Sequence, residues 1–426
     1  MQILLFSTIL CISLISLGQQ NKCKSHTRWV KMAEQNPNMS IKRTQLENLT
    51  KKYEEDIETG RRKKTDDVIT IPVVVHVIYN QEIENISHEQ IQSQIDVLNN
   101  DFNNNNSDAI TVEDEDFAFY AEFSLGSNIR FELAKHTPNG SATTGITRTQ
   151  TSIEGFDENL TNIYSTSDGG KDNWEPTKYL NIWVIALQES SMTLGWAQFP
   201  SDLSEYPASD GVVIRHEVFG TTGTAGSGDW SANGLGRTGT HEVGHWLNLK
   251  HTWGDLADDD QTCGSDLVSD TPPVQIANYG CPIGTHNENS SCGTDSRGEM
   301  YMNYMDYVND KCMILFSEGQ VTRMRAALDG ARNGLLTSGG ITSITPSAVL
   351  DGVAIYPNPS NSAEFSIDLA SQIESIKVSD SYGRVIIERY RSASNYKLDL
   401  SSYPHGIYYL TITSDGFSST QKIITQ

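Results

Sequence analysis

The amino-terminal part of the chain begins with a short apolar run over residues 3–17 and then turns polar. The run is too short to cross a bilayer and ends in a small-x-small pattern near Gly18, which predicts a signal peptide over residues 1–18. The alternative is a buried amino-terminal helix. Residues 19–66 are polar, helix-prone and end in the basic run Arg61–Lys64, which predicts a pro-segment with an accessible cleavage site. The alternative is an ordinary solvated charge run.

From residue 67 onward the hydrophobic pattern predicts strands backed by helices. A continuous apolar run over residues 69–79 predicts a buried strand, with His76 as a packed core residue. Apolar residues at helical spacing after the cap Ser87 predict a helix to about Phe102. Further apolar runs predict strands over 129–134, 179–187, 193–199 and 211–214. Together these elements predict an α+β fold with a twisted sheet.

The end of the chain has a different pattern. Residues 334–350 are rich in Gly, Ser and Thr, which is typical of a linker. Residues 351–426 alternate short apolar strands with turn segments such as Tyr356–Pro359, which predicts a small all-β sandwich. An adhesive or carbohydrate-binding sandwich is one interpretation of this part.

The helix predicted over about 235–247 carries His241, Glu242 and His245, and His251 follows. Residues four apart lie on one helix face, so both imidazoles can bind one metal with the carboxylate beside them. A catalytic zinc takes three protein ligands and keeps one position for water. His251 supplies the third if the chain reverses at Asn248, a residue type that tolerates the left-handed conformation. The pattern predicts one catalytic zinc, with Glu242 as general base and then general acid. The alternatives are a surface helix without metal and a structural zinc site.

Charge and cysteine content narrow the setting. The formal net charge of −23 argues against nucleic acid and anionic membranes as partners and suits a soluble exported enzyme, and beyond the amino-terminal run no stretch predicts a transmembrane segment. Of six cysteines, Cys11 leaves with the signal peptide. The four between residues 263 and 312 predict two disulfides with three alternative pairings, and a second zinc site is the rival interpretation.

The long zinc motif resembles that of the metzincins, with Asn248 where that clan has Gly. The run Met302–Tyr307 and the run Phe316–Gln320 resemble the pappalysin family, and this resemblance covers about residues 68–331. It implies a zinc endopeptidase domain over residues 67–333, with a mixed sheet, a backing helix, an active-site helix and an irregular carboxy-terminal subdomain. It also implies that Met305 forms a hydrophobic floor under the ligands and that Tyr307 stabilises the oxyanion. It further implies that residues 191–199 are the edge strand of the sheet that pairs with an extended substrate.

The same resemblance has three further implications. It implies disulfides Cys263–Cys292 and Cys281–Cys312. The loop containing Asp266, Asp270 and Thr271 resembles a calcium-holding loop, with a solvated acidic loop as the alternative. Residues 351–426 resemble the sorting domain of type IX secretion in Bacteroidetes. That likeness implies the type IX machinery as a partner and a secreted or cell-surface location.

Cys23 has no predicted disulfide partner. A thiolate is a strong zinc ligand, so we predict that Cys23 fills the open zinc position in a latent precursor. Lys22 and Lys24 are expected to lower its pKa. An incidental thiol and an intermolecular disulfide are the alternatives.

The sequence thus predicts a secreted zinc endopeptidase that acts on proteins or peptides. A binding or adhesion protein with a vestigial zinc site and a metal-dependent amidase are the competing classes. Asp310 and Lys311 leave the charge of the pocket for the substrate side chain after the cleaved bond open.

Overall fold

A computed structural model describes residues 22–63, 67–106, 125–255, 262–282, 292, 299–337, 354–380, 384–414 and 417–426. The chain divides into two units, Met1–Ile341 and Thr342–Gln426. The predicted signal peptide over residues 1–18, Cys11 within it, and the end of the basic run at Lys64 lie outside the described residues. So do residues 338–353, which include most of the predicted linker.

Two helices form the described part of the predicted pro-segment, α1 (Ser25–Gln35) and α2 (Asn38–Glu58). Met39 and Leu46 are buried, whereas most other residues of α2 are polar and at least partly exposed. One narrow apolar stripe therefore packs α2 against the rest of the unit. No helix in the described part of the chain combines the length and the apolar character that crossing a bilayer requires.

The first unit is built on a mixed sheet. Its strands in the described residues are β1 (Ile69–Tyr79), β2 (Ile129–Leu133), β3 (Ile146–Gln150), β4 (Leu180–Ile185), β5 (Gly195–Ala197) and β6 (Val212–Arg215). Their spatial order is β2-β1-β4-β6-β5, with β3 also paired to β1. All pairs are parallel except β5 with β6, so the predicted mixed sheet is confirmed.

The central strands are buried on both faces, which explains their nearly unbroken Val and Ile content. Helix α3 (His88–Phe102) packs on one face with its apolar residues, and Ser87 caps it by accepting a hydrogen bond from the main-chain N of Gln90 at 3.1 Å. His76 is buried and bonded to Thr147 and Asn181, as predicted for a core residue. The partly exposed strand β3 was not predicted from its sequence.

After the active-site helix α4 (Arg237–Trp246) the unit has little regular structure. Its described elements there are the short pair β7 (Tyr279–Gly280) and β8 (Tyr307–Val308) and helix α5 (Glu318–Asp329), which opens with the predicted capping box of Ser317 and Gln320. Disulfides join Cys263 to Cys292 and Cys281 to Cys312, as the resemblance implied.

The boundary predicted at residue 334 is wrong. Residues Asn333–Thr337 form a short 3-10 helix, and Leu335 is buried in the core of the first unit. The catalytic unit therefore extends to at least residue 337, because the Gly-rich composition of this stretch hid one apolar anchor.

The named strands of the second unit pair antiparallel in its described residues. It contains β9 (Ala354–Tyr356), β10 (Glu364–Asp380), β11 (Val385–Asp399), β12 (Gly406–Ser414) and β13 (Phe417–Thr425). Alternating residues of these strands form its core, among them Phe365, Ile376 and Leu410. This arrangement fits the predicted small β-sandwich.

Arg332 forms a buried ion pair with Asp210 and also contacts the active-site helix α4. Both terminal nitrogens of Arg332 lie 2.9 Å from the carboxylate of Asp210, and both residues are buried. Arg332 also donates to the main-chain O of Trp246 at 2.7 Å, and its guanidinium lies 3.8 Å from the centre of the Trp246 ring. One side chain therefore satisfies a terminal helix carbonyl and stacks on the last helical residue.

We expect Asp210→Asn to destabilise the first unit by about 3–5 kcal/mol, because the buried Arg332 charge would lose its counterion. Denaturant unfolding followed by tryptophan fluorescence measures the effect. Asp329→Asn is the matched control, since its pair with Arg62 is exposed and should contribute less than about 1 kcal/mol. Equal losses in the two variants would contradict this assignment.

Candidate metal centre and substrate cleft

The metal ligands predicted from the sequence converge because helix α4 ends one residue after His245. The helix terminates at Trp246, and Asn248 has φ +76°, the left-handed conformation predicted for it. The main-chain N of Leu249 then bonds to the main-chain O of Gly244 at 3.0 Å. This tight reversal brings His251 back beside the helix face that carries the other two histidines.

The three imidazoles form a triangle of Nε2 atoms. The distance between Nε2 of His241 and that of His245 is 3.1 Å, and the Nε2 of His251 lies 3.2 Å and 3.1 Å from these two. Tetrahedral zinc with Zn–N bonds of the usual length requires a separation of about 3.3 Å. The triangle therefore has the size that one zinc ion needs.

The outer nitrogens of the same rings fix their tautomers. Nδ1 of His241 bonds to the main-chain O of Tyr304 at 2.7 Å, and Nδ1 of His245 bonds to the main-chain O of Leu249 at 2.8 Å. Because a carbonyl only accepts, each of these Nδ1 atoms carries the proton and each Nε2 presents a lone pair. Buried lone pairs that face one another repel, so the site fits a cation at its centre.

Burial also keeps two of the rings neutral. It lowers the pKa of His241 to about 3 and the pKa of His245 well below its ordinary value. The positive charge that nearby His251 would carry lowers both further. Neutral imidazoles are the form that binds metal.

Asp255 is a site residue that the sequence analysis counted only as part of an acidic loop. Its Oδ1 lies 2.5 Å from Nδ1 of His251, and its carboxylate is almost fully buried. Burial raises the pKa of Asp255, but His251 and its hydrogen bond outweigh burial and hold the pKa well below its usual range. A carboxylate behind a histidine is typical of metal sites, and the spacing of four residues after His251 was the available signal.

The predicted Met-turn lies under the ligands. Met305 is fully buried, and a Cβ added at Gly244 would lie 2.5 Å from its Sδ, so glycine is needed for this close packing. Asn303 shapes the turn by accepting from the main-chain N of Met305 at 2.9 Å and exchanging two hydrogen bonds with Gln320. The pair of Asn303 and Gln320 joins the turn to helix α5 and was not predicted.

The predicted base lies against the edge strand. Strand β5 is at the edge of the sheet, as expected, and a Cβ at Gly195 would lie 3.1 Å from Cγ of Glu242, so glycine permits the approach. Burial raises the pKa of Glu242 to about 8, although hydrogen bonds from Ser25 and Cys23 oppose this shift. The ring of Tyr307 lies 5.7 Å and 5.0 Å from the rings of His241 and His251.

Cys23 is buried at the same place. Its Sγ and one nitrogen of each histidine lie within 4.8 Å of one another, and its Sγ is 3.4 Å from Oε2 of Glu242. Burial and the negative charge of Glu242 raise the pKa of Cys23. The prediction that Lys22 and Lys24 lower this pKa is therefore wrong. Those lysines point elsewhere, Lys22 to the main-chain O of Tyr307 and Lys24 to Glu158.

Lys22 lines a pocket whose wall also includes His241 and Glu242. The wall of this pocket includes Asp310, which is 1% exposed, whereas Lys311 is exposed at the surface. Burial lowers the pKa of Lys22, and the charges of Asp310 and Asp306 oppose that shift. Of the two residues that left the pocket charge open, Asp310 lines the pocket, and its carboxylate accepts hydrogen bonds from Asn233 and from the main-chain N of Leu235 and of Arg237.

The predicted calcium residues lie close together but have separate protein partners. Both carboxylate oxygens of Asp266 accept from the hydroxyl of Thr271 at 2.8 Å, and burial raises the pKa of Asp266 to about 7. Asp270 instead accepts from Ser317 and from the main-chain N of Gly319 at the start of helix α5. Residues 256–261, which hold the other aspartates of this acidic segment, lie outside the described residues.

Two family models match the chain. Residues 164–329 match the peptidase M43 family, described as pregnancy-associated plasma protein-A, and residues 354–426 match the secretion system C-terminal sorting domain. The sorting domain marks the protein as exported, either secreted or held at the cell surface.

Solved structures match over longer stretches. Promirolysin of Tannerella forsythia, in the mutant E225A, is 40% identical with a TM-score of 0.65, and the match covers 74% of this chain and 97% of that one. Mature mirolysin of the same organism, in complex with a cleaved peptide, is 45% identical with a TM-score of 0.58 over 63% of this chain and 96% of that one.

Curated relatives include an extracellular metalloprotease of Colletotrichum graminicola, 38% identical over 34% of this chain and 48% of that protein. An extracellular metalloprotease of Arthroderma otae is 29% identical over 62% of this chain and 80% of that protein. The chain thus spans about half the length of the Colletotrichum relative.

A zinc motif on a helix that ends in a tight turn, above a buried methionine and beside a mixed sheet, defines a metzincin-type metallopeptidase fold. With these matches, the chain belongs to the pappalysin family of zinc metallopeptidases, peptidase family M43.

We expect Asn248→Gly to change stability by less than about 1 kcal/mol and to retain zinc, because glycine adopts φ +76° without strain. Asn248→Val is the matched control and should cost at least about 1–2 kcal/mol, because a β-branched residue is disfavoured in that conformation. Thermal unfolding and zinc content by atomic absorption measure both effects. Loss of zinc in the glycine variant would contradict the role assigned to the turn.

Proposed function

We propose that the protein is a zinc-dependent endopeptidase that hydrolyses peptide bonds in proteins or peptides after export. The observation that carries this proposal is the triangle of three buried Nε2 atoms with the Glu242 carboxylate beside it. His241, His245 and His251 would hold one zinc ion. When bound there, zinc supplies Lewis acidity that activates a water molecule and polarises the peptide carbonyl.

Glu242 handles the proton in this mechanism. Its carboxylate takes a proton from the attacking water and gives it to the leaving amine nitrogen, first as general base and then as general acid. Met305 supports the ligands from below. Strand β5 binds the extended substrate through main-chain hydrogen bonds, so the backbone supplies affinity and the pockets supply preference.

Tyr307 is the group that would stabilise the oxyanion. Its hydroxyl donates to the main-chain O of Cys23 at 3.4 Å, and Cys23 lies at the histidine cluster. The main-chain carbonyl that Tyr307 binds is chemically equivalent to a substrate carbonyl. This contact supports a role in which the hydroxyl donates to the oxygen on which negative charge develops.

We expect Glu242→Ala to keep its zinc and to lose about 10²–10⁴-fold in kcat, the contribution typical of general acid–base catalysis. Digestion of casein with and without a zinc chelator, together with zinc content, measures this. Glu189→Gln, an exposed glutamate, is the control and should retain full activity. A zinc-loaded Glu242→Ala protein with a near wild-type rate would exclude this mechanism.

We further propose that residues 19–66 are a pro-segment whose Cys23 keeps the precursor latent as a fourth zinc ligand. The solved precursor promirolysin matches a larger share of this chain, 74%, than mature mirolysin does, 63%. The pro-segment also blocks the cleft directly. Ser25 donates to Oε2 of Glu242 at 3.0 Å, and Lys24 pairs with the edge strand at Gly195.

We expect Cys23→Ala, in a precursor whose basic run has been replaced to prevent cleavage, to raise activity at least tenfold over the same precursor with Cys23. The reason is that the open zinc position becomes available to water. Cleavage of a quenched peptide measures the difference. Thr44→Ala, on an exposed part of helix α2, is the control. Unchanged latency in the Cys23→Ala precursor would remove the cysteine from the mechanism.

The pocket at Asp310, the acidic loop and the second unit bear on substrate preference, metals and partners, respectively. The pocket that is lined by Asp310 and, in this structure, also by Lys22 supports a basic substrate side chain next to the cleaved bond. Calcium at Asp266, Asp270 and Thr271 stays a prediction. Residues 351–426 would engage the type IX secretion machinery.

A vestigial site is disfavoured because Glu242 and all three histidines are present and oriented. An amidase would need a narrower site than this edge-strand cleft.

A further inference from the structure

A short loop above the cleft contacts several positive charges of the pro-segment. Lys24 Nζ lies 3.3 Å from Oε1 of Glu158, the guanidinium of Arg28 donates to the main-chain O of Glu158, and Lys31 donates to the side chain of Asn159 at 2.8 Å. We name residues 157–159 the rim loop. At this loop, a carboxylate, a main-chain carbonyl and a side-chain amide each bind one basic side chain.

The carboxylate of Glu158 is held in position by the strand segment that leads into β5. The hydroxyls of Ser191 and Thr193 both donate to its Oε2, which leaves Oε1 to face Lys24. Burial raises the pKa of Glu158, but these hydroxyl bonds and Lys24 outweigh burial, and the pKa lies below its usual value. Glu158 therefore carries a negative charge at a fixed position, and its Oε1 faces the ammonium group of Lys24.

The rim loop lies beside the segment that pairs with the edge strand. The main-chain N of Leu194 donates to the main-chain O of Lys22 at 2.8 Å, and the main-chain N of Lys24 donates to the main-chain O of Gly195 at 3.1 Å. A peptide that replaces the pro-segment on this edge strand passes the same carboxylate. When residues 22–63 leave, Oε1 of Glu158 loses Lys24 but keeps the two hydroxyls that orient it.

We propose that Glu158 forms a second acidic subsite that selects a lysine or arginine side chain of the peptide substrate. This subsite is separate from the pocket at Asp310. The proposal rests on the endopeptidase function proposed above. The pro-segment supplies one basic residue to each place, Lys22 to the pocket and Lys24 to Glu158. The mature cleft therefore recognises two positive charges on one substrate rather than one.

A purely structural role for Glu158 makes a different prediction. If the carboxylate only fixes Ser191 and Thr193, its loss alters the edge strand and slows all peptides alike. A subsite instead changes the preference at one substrate position. The ratio of rates for two peptides that differ only in charge at that position separates these roles, because the fraction of active enzyme cancels.

The experiment uses the full chain activated by cleavage at its basic run. Peptides keep lysine at the position that enters the Asp310 pocket and carry either lysine or norleucine at each of the other positions around the cleaved bond. For the wild type we expect kcat/KM to favour lysine at one of these positions. In Glu158→Gln that preference should fall about three- to tenfold, and Glu158→Lys should make lysine worse than norleucine there.

Glu154→Gln is the matched control, since it removes one negative charge from an exposed position in the same stretch of chain and should leave every ratio unchanged. A wild-type preference that survives in both Glu158 variants, or the absence of any such preference, overturns the subsite while leaving the peptidase intact. A wild type that cleaves no peptide overturns the peptidase function and this subsite together. A ratio that shifts equally in Glu154→Gln would assign the effect to general charge and also overturn the subsite.

Discussion

The site depends on one electrostatic constraint, the convergence of three buried imidazole lone pairs on one point. Such an arrangement is unfavourable without a cation, so each ring must be held from behind. Two main-chain carbonyls and Asp255 hold the outer nitrogens of the three rings. The supports come from different parts of the first unit, and this explains why the turn at Asn248 and the turn before Met305 both have fixed conformations.

The proposed pro-segment and the proposed substrate would use the same features of the cleft. Residues 22–24 pair with the edge strand, place a main-chain carbonyl at the hydroxyl of Tyr307, and insert Lys22 beside Asp310. In the proposed latent precursor, inhibition would need no separate binding surface. The Cys23 sulfur would occupy the position of the reacting water, and Ser25 donates to the carboxylate of Glu242.

Much of the fold could be predicted because its signals are local. Strand β1 is an unbroken apolar run, Ser87 and Ser317 are caps with their partners three residues on, and the zinc helix carries its ligands at helical spacing. Strand β3 was missed because its residues are half exposed and carry no apolar alternation. The end of the catalytic unit was missed because Leu335 is a single anchor in a Gly-rich stretch.

The sequence by itself determined the reversal at Asn248 and the separate all-β unit, and it predicted the metal ligands and the base, because each rests on spacing along the chain or on one residue's conformational preference. Only the tertiary structure decided which charges meet. It directed Lys22 and Lys24 away from the Cys23 sulfur, so burial sets the pKa of that thiol, and it placed Asp310 rather than Lys311 in the pocket wall. Charge interactions depend on distance and burial in space, and neither is written in the order of residues.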